Sequence, residues 1–346
     1  MKIHFLCNDG SPIGILLHDI YDRGVGGAEN ALLSLAEQFA KEGHDATIYN
    51  DPKSRGEEGG IKFRMLNEFK PDDPNRVLIV FRSPNHRAEK AKAIRKLWWS
   101  TDQFTIGNFA TFSGLVDFVV TISPFHTAYH QKHYHIPLSK MYHIDLGVRD
   151  EYPENIKKKK KQLIYCSVPS RGLSVLYAAW PLILRDVPGA SLVITSDYRL
   201  WGVGPGNHYH RLMWSDADNV SFVGKVPRHE LLKLQAESEI LAYPCTYEEL
   251  FCISLAECQV AGAFPVTSAY GALPTTNEYG VTILGTPLKP DFVEEFVERI
   301  VSLLTDEREY LEERQKVMMA KAPERFSWAR IAQRWYELIE TGDLER

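Results

Sequence analysis

Short apolar runs that alternate with helical segments are the feature that most constrains the fold of this chain. In the first half these runs cover residues 3–7, 46–49, 77–81, 97–100 and 118–122. In the second half they cover residues 163–166, 192–195, 220–222, 240–243, 264–267 and 281–284. Strands that are apolar along their whole length and alternate with helices are typical of parallel sheets covered on both faces. The sequence therefore predicts an α/β protein with two doubly wound sheets.

A charged segment separates the two halves of the chain. Pro153 is followed by five consecutive lysines at residues 157–161, a composition that suits a linker rather than a core. A length of 346 residues also fits two domains of ordinary size. We predict a first domain over residues 1–155, a second over 156–325 and a closing helix within 326–346. Ser327 is a suitable N-cap for that helix.

Composition excludes several classes of protein. The formal net charge of −5 lacks the basic excess of nucleic-acid-binding proteins, so we expect no nucleic-acid partner. The five cysteines contain no CxxC pair, which favours buried thiols in a reducing compartment over a disulfide framework. No signal peptide is recognisable, and no apolar run approaches the length of a membrane span. We therefore expect a cytoplasmic protein.

The stretch over residues 240–267 combines an apolar strand, acidic residues and a helix. The strand runs into a loop that holds Glu249, and we expect a helix from about residue 250 or 251 to Gly262. Its N-terminus would present unpaired N–H groups and the positive end of the helix dipole, which suits a phosphate. Glu257 would lie about 9 Å along the axis from that end. This arrangement suits a nucleotide sugar, although both glutamates could also be ordinary solvated residues.

The same stretch resembles a known family signature. Glu249-Leu-Phe-Cys-Ile-Ser-Leu-Ala-Glu257, with Ala261-Gly262 and Pro265-Val266 behind it, resembles the signature of retaining glycosyltransferases of family 4. The resemblance covers nearly the whole chain and implies the GT-B fold. In that fold two Rossmann-like domains face each other across a cleft, and the C-terminal helix crosses back to the first domain.

The resemblance also implies roles for residues of this stretch. By position, Glu249 faces the donor sugar as a catalytic residue and Glu257 holds the ribose of the nucleotide. The helix start at Phe251, Cys252 and Ile253 would approach the donor phosphates.

Glycines precede the first long helix, in the sequence Gly24-Val-Gly-Gly-Ala-Glu29. Gly26 and Gly27 let the backbone approach a ligand closely, although such a segment can also be an ordinary turn. They match the Gly-Gly-x-Glu loop of family 4, which implies that they bind the donor phosphates.

Arg171 and Gly172 follow the strand over residues 163–166 and take the place of the Lys-Gly pair of the family. Arg171 is expected to neutralise the leaving diphosphate, the alternative being a surface arginine at a helix start. The upstream arginine of the family falls near Cys166 or Ser167, so a second cation must come from elsewhere. Lys225 is the candidate.

Asp102 follows a strand of the first domain, in a region where many family members place a histidine. It could orient the sugar or receive the acceptor proton, and it could equally cap a helix. We include it among the candidate catalytic residues.

Two further patterns have plain alternatives. His126 and His130 have the helical spacing of a metal pair, with His133 and His135 nearby, but no acidic ligand accompanies them, and we expect no metal site. The basic residues 86–96 and the following Trp98 and Trp99 could lie against the inner face of a membrane, a peripheral location. The tryptophans fit the next strand better.

The resemblance implies a retaining, metal-independent glycosyltransferase that needs no cofactor beyond its nucleoside-diphosphate sugar. The departing phosphate would take the proton of the acceptor, which would be a carbohydrate, a lipid-linked sugar or another small hydroxyl compound. Surface polysaccharide or lipopolysaccharide synthesis is the commonest role of such relatives. The residues leave open a GT-B nucleotide-sugar epimerase or hydrolase, and a non-catalytic nucleotide-sugar-binding protein.

Overall fold

The computed structural model describes residues 1–7, 14–22, 24–52, 54–153, 156–201 and 208–343. The chain divides into two compact units, each with its own sheet. The first unit comprises Met1–Ile20, Gly27–Gly147 and Ser327–Arg346, and the second comprises Tyr21–Gly26 and Val148–Phe326.

The sheet of the first unit has eight strands in the order β3-β4-β2-β1-β5-β6-β7-β8. These strands are β1 Lys2–Cys7, β2 Asp45–Asn50, β3 Gly56–Glu58, β4 Ile61–Met65, β5 Val77–Phe81, β6 Arg95–Trp99, β7 Phe118–Thr121 and β8 Met141–His143. All neighbouring strands are parallel except β3 and β4. Every residue of β5 is buried, as expected for a strand covered on both faces.

Helices accompany this sheet in chain order. They are α1 Asp19–Asp22, which spans the junction of the two units, α2 Gly27–Lys41, α3 His86–Glu89, α4 Phe109–Ser113 and α5 Pro124–Tyr134. Short 3₁₀ turns cover Leu66–Glu68 and Leu138–Lys140.

The sheet of the second unit has six parallel strands in the order β11-β10-β9-β12-β13-β14. They are β9 Gln162–Tyr165, β10 Ser191–Ile194, β11 Val220–Phe222, β12 Ile240–Tyr243, β13 Phe264–Ser268 and β14 Val281–Ile283. Their helices are α6 Leu173–Asp186, α7 His208–Met213, α8 Arg228–Glu237, α9 Ile253–Ala261, α10 Leu273–Thr276, α11 Pro290–Leu304 and α12 Arg308–Arg325. Pro169–Arg171 and Tyr198–Trp201 form 3₁₀ turns. The prediction of two doubly wound parallel sheets is confirmed.

The closing helix, α13 Trp328–Thr341, belongs to the first unit. Ser327 is its N-cap and accepts a hydrogen bond from the Arg330 N–H at 3.2 Å. Trp335 is 1% exposed and packs edge-to-face on Trp99 of β6, with ring centroids 5.2 Å apart. The helix is therefore part of the core of the first unit.

The boundary between the units lies at Gly147–Val148, earlier than the predicted boundary after residue 155. The lysine run is also more than a solvated linker. The Lys158 ammonium donates to the carbonyls of Ser238 and Ala261 at 2.9 and 3.0 Å, at the ends of α8 and α9. Burial lowers the pKa of Lys158 to about 8. A lysine near a helix C-terminus satisfies carbonyls that the helix leaves unpaired.

The basic segment 86–96 does not form one amphipathic helix, because α3 ends at Glu89 and β6 begins at Arg95. Trp98 and Trp99 lie in β6 and are 0% and 1% exposed. The interpretation of residues 86–99 as a membrane-contacting surface thus loses its two aromatic anchors.

Within the described part of the chain, no helix is both long and apolar enough to cross a membrane.

Candidate active site

Glu249 lies in the loop between β12 and α9, with its carboxylate buried. Its Oε1 atom accepts a hydrogen bond from Arg171 Nη1 at 2.7 Å and another from the Tyr243 hydroxyl at 2.6 Å. Only 4% of Glu249 is exposed. A buried carboxylate is tolerated only where charged and hydrogen-bonding partners replace its hydration. Arg171 and Tyr243 supply those partners, so the structure brings two predicted site residues together and adds a third.

The charge states of these partners follow from their surroundings. Burial alone would lower the pKa of Arg171, but the Glu249 carboxylate raises it above its ordinary value, and the guanidinium stays charged. Burial, together with the Glu249 charge, raises the pKa of Tyr243 well above its usual value. The Tyr243 hydroxyl therefore keeps its proton and acts as a donor. Arg171 also lies over the ring of Tyr247, 4.5 Å from its centroid.

Two glycines fix the backbone around Glu249. Gly172 has φ +121°, and a Cβ there would lie 2.2 Å from the Pro244 carbonyl oxygen. Gly271 has φ +60°, and a Cβ there would lie 2.3 Å from the Glu249 carbonyl oxygen. Neither position has room for a side chain, so glycine is required for the close approach of these segments.

Helix α9 begins at Ile253, later than the predicted start at residue 250 or 251. The reason is local, because Cys252 adopts the left-handed conformation with φ +77° and cannot continue a helix backwards. Phe251 is 1% exposed and contacts Phe326, so its side chain belongs to the core. Glu257 consequently lies about 6 Å from the helix start instead of about 9 Å.

Glu257 belongs to a second buried cluster. Its Oε1 pairs with Arg228 Nη1 at 2.9 Å, and its Oε2 accepts from Gln235 Nε2 at 3.3 Å. Arg228 Nε lies 3.3 Å from Oε2 of Glu151. The Glu257 carbonyl accepts from the Tyr152 hydroxyl at 2.9 Å. Sequence reasoning missed Arg228, whose position on α8 offers no signal until α8 and α9 are packed.

Lys225 follows β11, and its backbone N–H donates to Asp197 Oδ2 at 3.1 Å. Asp197 is 1% exposed and also accepts from Arg199 Nε at 2.8 Å. Burial would raise the pKa of Asp197, but the hydrogen bonds from Arg199 hold it below its usual value. A charged, buried Asp197 thus anchors the loop that carries Lys225.

The glycine segment lies where the chain passes from the second unit to the first. Gly26 groups with the second unit, whereas Gly27 belongs to the first and is the first residue of α2. Both are at least partly exposed.

Asp102 is part of an ion-pair cluster in the first unit. Arg82, directly after β5, donates from Nε to Asp102 Oδ2 at 2.6 Å and from Nη1 to Glu29 Oε1 at 3.1 Å. The cluster lies at the carboxyl edge of a parallel sheet, where α/β proteins commonly bind ligands. Asp102 caps no helix, because α4 begins at Phe109 with Asn108 as its cap. Arg82 was missed, although its position after a wholly apolar strand could have identified it.

His126 and His130 are buried in the first unit and have protein partners. His126 Nε2 lies 3.2 Å from the Asp102 carbonyl oxygen, and His130 Nε2 lies 2.8 Å from Ser100 Oγ. Burial lowers the pKa of His130 to about 3 and that of His126 well below its usual value. Within the described ranges, no three His, Cys, Asp or Glu side chains are arranged to hold a metal ion. The two histidines are therefore buried, hydrogen-bonded side chains of the core of the first unit.

All five cysteines fall within the described residues, and none of them forms a disulfide. Cys7, Cys166, Cys245 and Cys258 are buried and Cys252 is partly buried. Burial, reinforced by the Glu249 charge, raises the pKa of Cys252 well above its usual value. It therefore remains a thiol.

Comparison with known proteins finds a family match for the second unit and fold matches for nearly the whole chain. The sequence profile of the glycosyl transferases group 1 family matches residues 148–324. The GDP-mannose-dependent alpha-(1-6)-phosphatidylinositol monomannoside mannosyltransferase of Mycobacterium tuberculosis is 28% identical over 174 residues. That match covers 47% of this chain and only 43% of the mycobacterial protein.

Two solved structures match nearly the whole chain. Sucrose-phosphate synthase from Thermosynechococcus elongatus superposes with a TM-score of 0.72 at 16% identity over 98% of each chain. Anabaena HepE in complex with UDP-glucose has a TM-score of 0.70 at 16% identity, over 99% of this chain and 100% of that one. At this identity the likeness shows the fold, which is the GT-B arrangement of two Rossmann-like domains.

The family match coincides with the second unit, Val148–Phe326, which holds Arg171, Glu249 and Glu257. It spans just over half of the 346 residues. The chain belongs to the glycosyl transferases group 1 family.

Proposed function

We propose that the chain transfers a sugar from a nucleoside diphosphate to an acceptor hydroxyl with retention of anomeric configuration, as in family 4. The observation that carries this proposal is the buried cluster of Glu249, Arg171 and Tyr243. It lies beside the N-terminus of α9, at the carboxyl ends of β9 and β12, within the segment matched by the family. A carboxylate beside a charged guanidinium suits the junction of a sugar and a phosphate.

Each residue has a distinct task in the proposed reaction. The bond between the anomeric carbon and the β-phosphate oxygen breaks, and Arg171 with the start of α9 stabilises the charge on the departing phosphate. Glu249 contacts the donor sugar near the reacting carbon. The acceptor oxygen attacks from the same face, and its proton passes to the departing phosphate oxygen.

The remaining donor contacts are also part of the proposal. Gly26, Gly27 and Gly172 allow close backbone approach to the phosphates, Lys225 supplies a further cation, and Glu257 receives the ribose. Phe251, Cys252 and Ile253 contribute through the backbone at the start of α9.

The acceptor is proposed to bind the first unit at the cluster of Asp102 and Arg82. The mycobacterial relative is named for a phosphatidylinositol mannoside acceptor and a GDP-mannose donor. That name supports a lipid-linked or carbohydrate acceptor, and we propose a role in surface polysaccharide or lipopolysaccharide synthesis at the inner face of a membrane. The Anabaena structure holds UDP-glucose, so UDP- and GDP-sugars are both tested as donors.

The test is a panel of UDP-, GDP- and ADP-sugars. Binding is measured by thermal shift, turnover by release of nucleoside diphosphate, and the anomeric configuration of the product by NMR. We expect one base to stabilise the protein, slow donor hydrolysis without acceptor, and a product with the configuration of the donor. An inverted product would contradict retention. Conversion of the donor to an epimer would indicate an epimerase instead of a transferase. Binding of the donor without turnover against any acceptor would indicate a non-catalytic nucleotide-sugar-binding protein.

We also propose that charge stabilisation by Arg171 and the α9 terminus suffices without a divalent cation. Donor hydrolysis or transfer should then persist in excess EDTA, with the untreated enzyme as control. Loss of turnover that Mg²⁺ or Mn²⁺ restores would contradict this proposal.

A further inference from the structure

Three buried side chains meet where α8 packs on α9. Arg228 and Gln235, both on α8, hold the two oxygens of Glu257, as described above. The exposed fractions are 7% for Arg228, 0% for Gln235 and 4% for Glu257. Most polar side-chain atoms buried to this degree have at least one hydrogen-bond partner in native proteins.

Two atoms of this cluster depart from that rule. Arg228 Nη2 and Gln235 Oε1 are buried, and neither has a hydrogen-bond partner among the residues that the structure describes. One of these atoms is a donor and the other an acceptor, and the Glu257 carboxylate lies with them. A hydroxyl group is the ligand chemistry that matches this set, because its oxygen accepts one hydrogen bond while its hydrogen donates another.

Arg228 is held in place from its other side. Its Nε lies 3.3 Å from Glu151 Oε2. Glu151 Oε1 in turn accepts from Arg149 Nε at 2.8 Å and from the Tyr21 hydroxyl at 2.6 Å. With Nε and Nη1 both engaged by carboxylates, the planar guanidinium has a fixed orientation, which also fixes the direction of Nη2. A pre-oriented donor of this kind is suited to specificity.

We propose that Arg228 is a ribose-binding residue that acts together with Glu257. Nη1 holds the Glu257 carboxylate, while Nη2 donates to the oxygen of a ribose hydroxyl whose hydrogen is directed to Glu257 or Gln235. This assignment rests on the proposed function, since it requires that Glu257 faces the ribose of a nucleotide. It adds a further determinant of recognition for the 2′- or 3′-hydroxyl.

The experiment combines a protein variant with a ligand variant. Calorimetry measures binding of UDP, GDP or ADP, whichever binds most tightly, and of its 2′-deoxy and 3′-deoxy forms. The wild type should lose about tenfold or more in affinity for one deoxy form, the size expected for a lost hydrogen bond to a charged group. Arg228→Met should bind the nucleotide more weakly and lose most of that discrimination.

A matched control separates ribose contact from general destabilisation. Arg308→Met breaks another ion pair of the second unit, in which half-buried Arg308 lies 2.7 Å from buried Glu239. It should leave unchanged both the affinity for the nucleotide and the ratio of the affinities for the nucleotide and its deoxy form. Arg228→Lys is the second variant, because it keeps a cation beside Glu257 if Arg228→Met fails to fold. Its single ammonium lacks the fork, so discrimination should fall there as well.

The outcomes distinguish the two proposals. An unchanged ratio in both Arg228 variants would mean that Arg228 only supports Glu257 and that a buried water satisfies Nη2, which overturns the assignment. A wild type that binds the nucleotide but does not discriminate against either deoxy form would also overturn it. A wild type that binds none of the three nucleotides would overturn the proposed function itself.

Discussion

Glu249 and Glu257 differ in their partners although both are buried carboxylates of one short segment. Glu249 is held by a guanidinium and a phenol, Arg171 and Tyr243. Glu257 is held by a guanidinium and an amide, Arg228 and Gln235. Removing either charge therefore leaves a different buried cation under-compensated, and the two substitutions should have different effects on ligands.

Glu249→Gln should chiefly lower turnover and leave binding of the bare nucleoside diphosphate nearly intact, because that ligand has no sugar for Glu249 to contact. Glu257→Gln should weaken the nucleoside diphosphate and the sugar nucleotide alike, by roughly tenfold to a hundredfold. Calorimetry with the nucleoside diphosphate and steady-state turnover with the donor measure the two effects.

Glu239→Gln is the control for these two variants. Glu239 is 4% exposed and paired with Arg308, so its loss should lower stability without changing nucleotide affinity. Equal affinity losses for Glu249→Gln and Glu257→Gln would contradict the assignment of the two glutamates to opposite ends of the donor.

Sequence reasoning could select Arg171 and Glu249 because each follows a strand, and Glu257 because it completes the family signature that begins at Glu249. It could not find their partners. Arg171 and Glu249 are separated by 78 positions, and Arg228 and Glu257 by 29, so these pairs exist only once strands and helices are packed. The Tyr243 hydroxyl was equally hidden, because an aromatic residue ending an apolar strand looks like core.

At the scale of elements, the site is set by the loop between β12 and α9. The left-handed backbone at Cys252 delays the start of the helix, and the backbone of Gly271 lies against Glu249. The pattern of apolar residues predicted the helix, but its first residue depended on one backbone conformation. Strands β3, β4 and β8 were missed for a different reason. Each is short or lies towards an edge of the sheet and lacks a continuous apolar run.

Gly271→Ala should displace Glu249, because the added Cβ would lie 2.3 Å from its carbonyl oxygen. We expect a large fall in turnover with little change in affinity for the nucleoside diphosphate. Gly189→Ala is the matched control, because Gly189 has φ +84° but nothing within 4 Å of the added Cβ. In denaturant unfolding, Gly189→Ala should lose about 1 kcal/mol from left-handed strain, and Gly271→Ala should lose more because the clash adds to that strain. Equal turnover in the two would mean that Glu249 does not depend on this contact.

The buried histidines of α5 should make the folding stability depend on pH. Because burial holds the pKa of His130 at about 3, against 6.5 when unfolded, the unfolded state binds more protons below pH 6.5. Stability should therefore be lost as pH falls from 6.5 towards 3, with His130 alone contributing about 2 kcal/mol between pH 7 and 5. His130→Gln should flatten that dependence in denaturant unfolding. Ile136→Val, in the same core, should lower stability equally at both pH values, and an unchanged slope in His130→Gln would contradict the prediction.

The whole molecule consists of two units, each with its own sheet and core. The alternation of strands and helices predicted this organisation, and the family match covers the second unit alone. The position of the boundary could not be read from composition, because Glu151 and Tyr152, which precede the lysine run, bind Arg228 and the Glu257 carbonyl far along the chain. Bound nucleotide should therefore stabilise mainly the second unit, whereas the packing of the closing helix should stabilise the first.

Trp335→Ala in α13 and Trp180→Ala in α6 test that separation. The two side chains are 1% and 2% exposed, in the first and second unit respectively, so each substitution should cost its own unit about 3–5 kcal/mol. Nucleoside diphosphate at about 100 times Kd should restore about 2.7 kcal/mol to the second unit, because ligand stabilises what binds it and every proposed donor contact except Gly27 belongs to that unit. In calorimetric unfolding, nucleotide should raise the unfolding temperature of the second unit, which Trp180→Ala lowers. It should leave nearly unchanged the unfolding temperature of the first unit, which Trp335→Ala lowers. If nucleotide raised both transitions equally, the first unit would hold the donor as strongly as the second, which would contradict the assignment of the donor contacts mainly to the second unit.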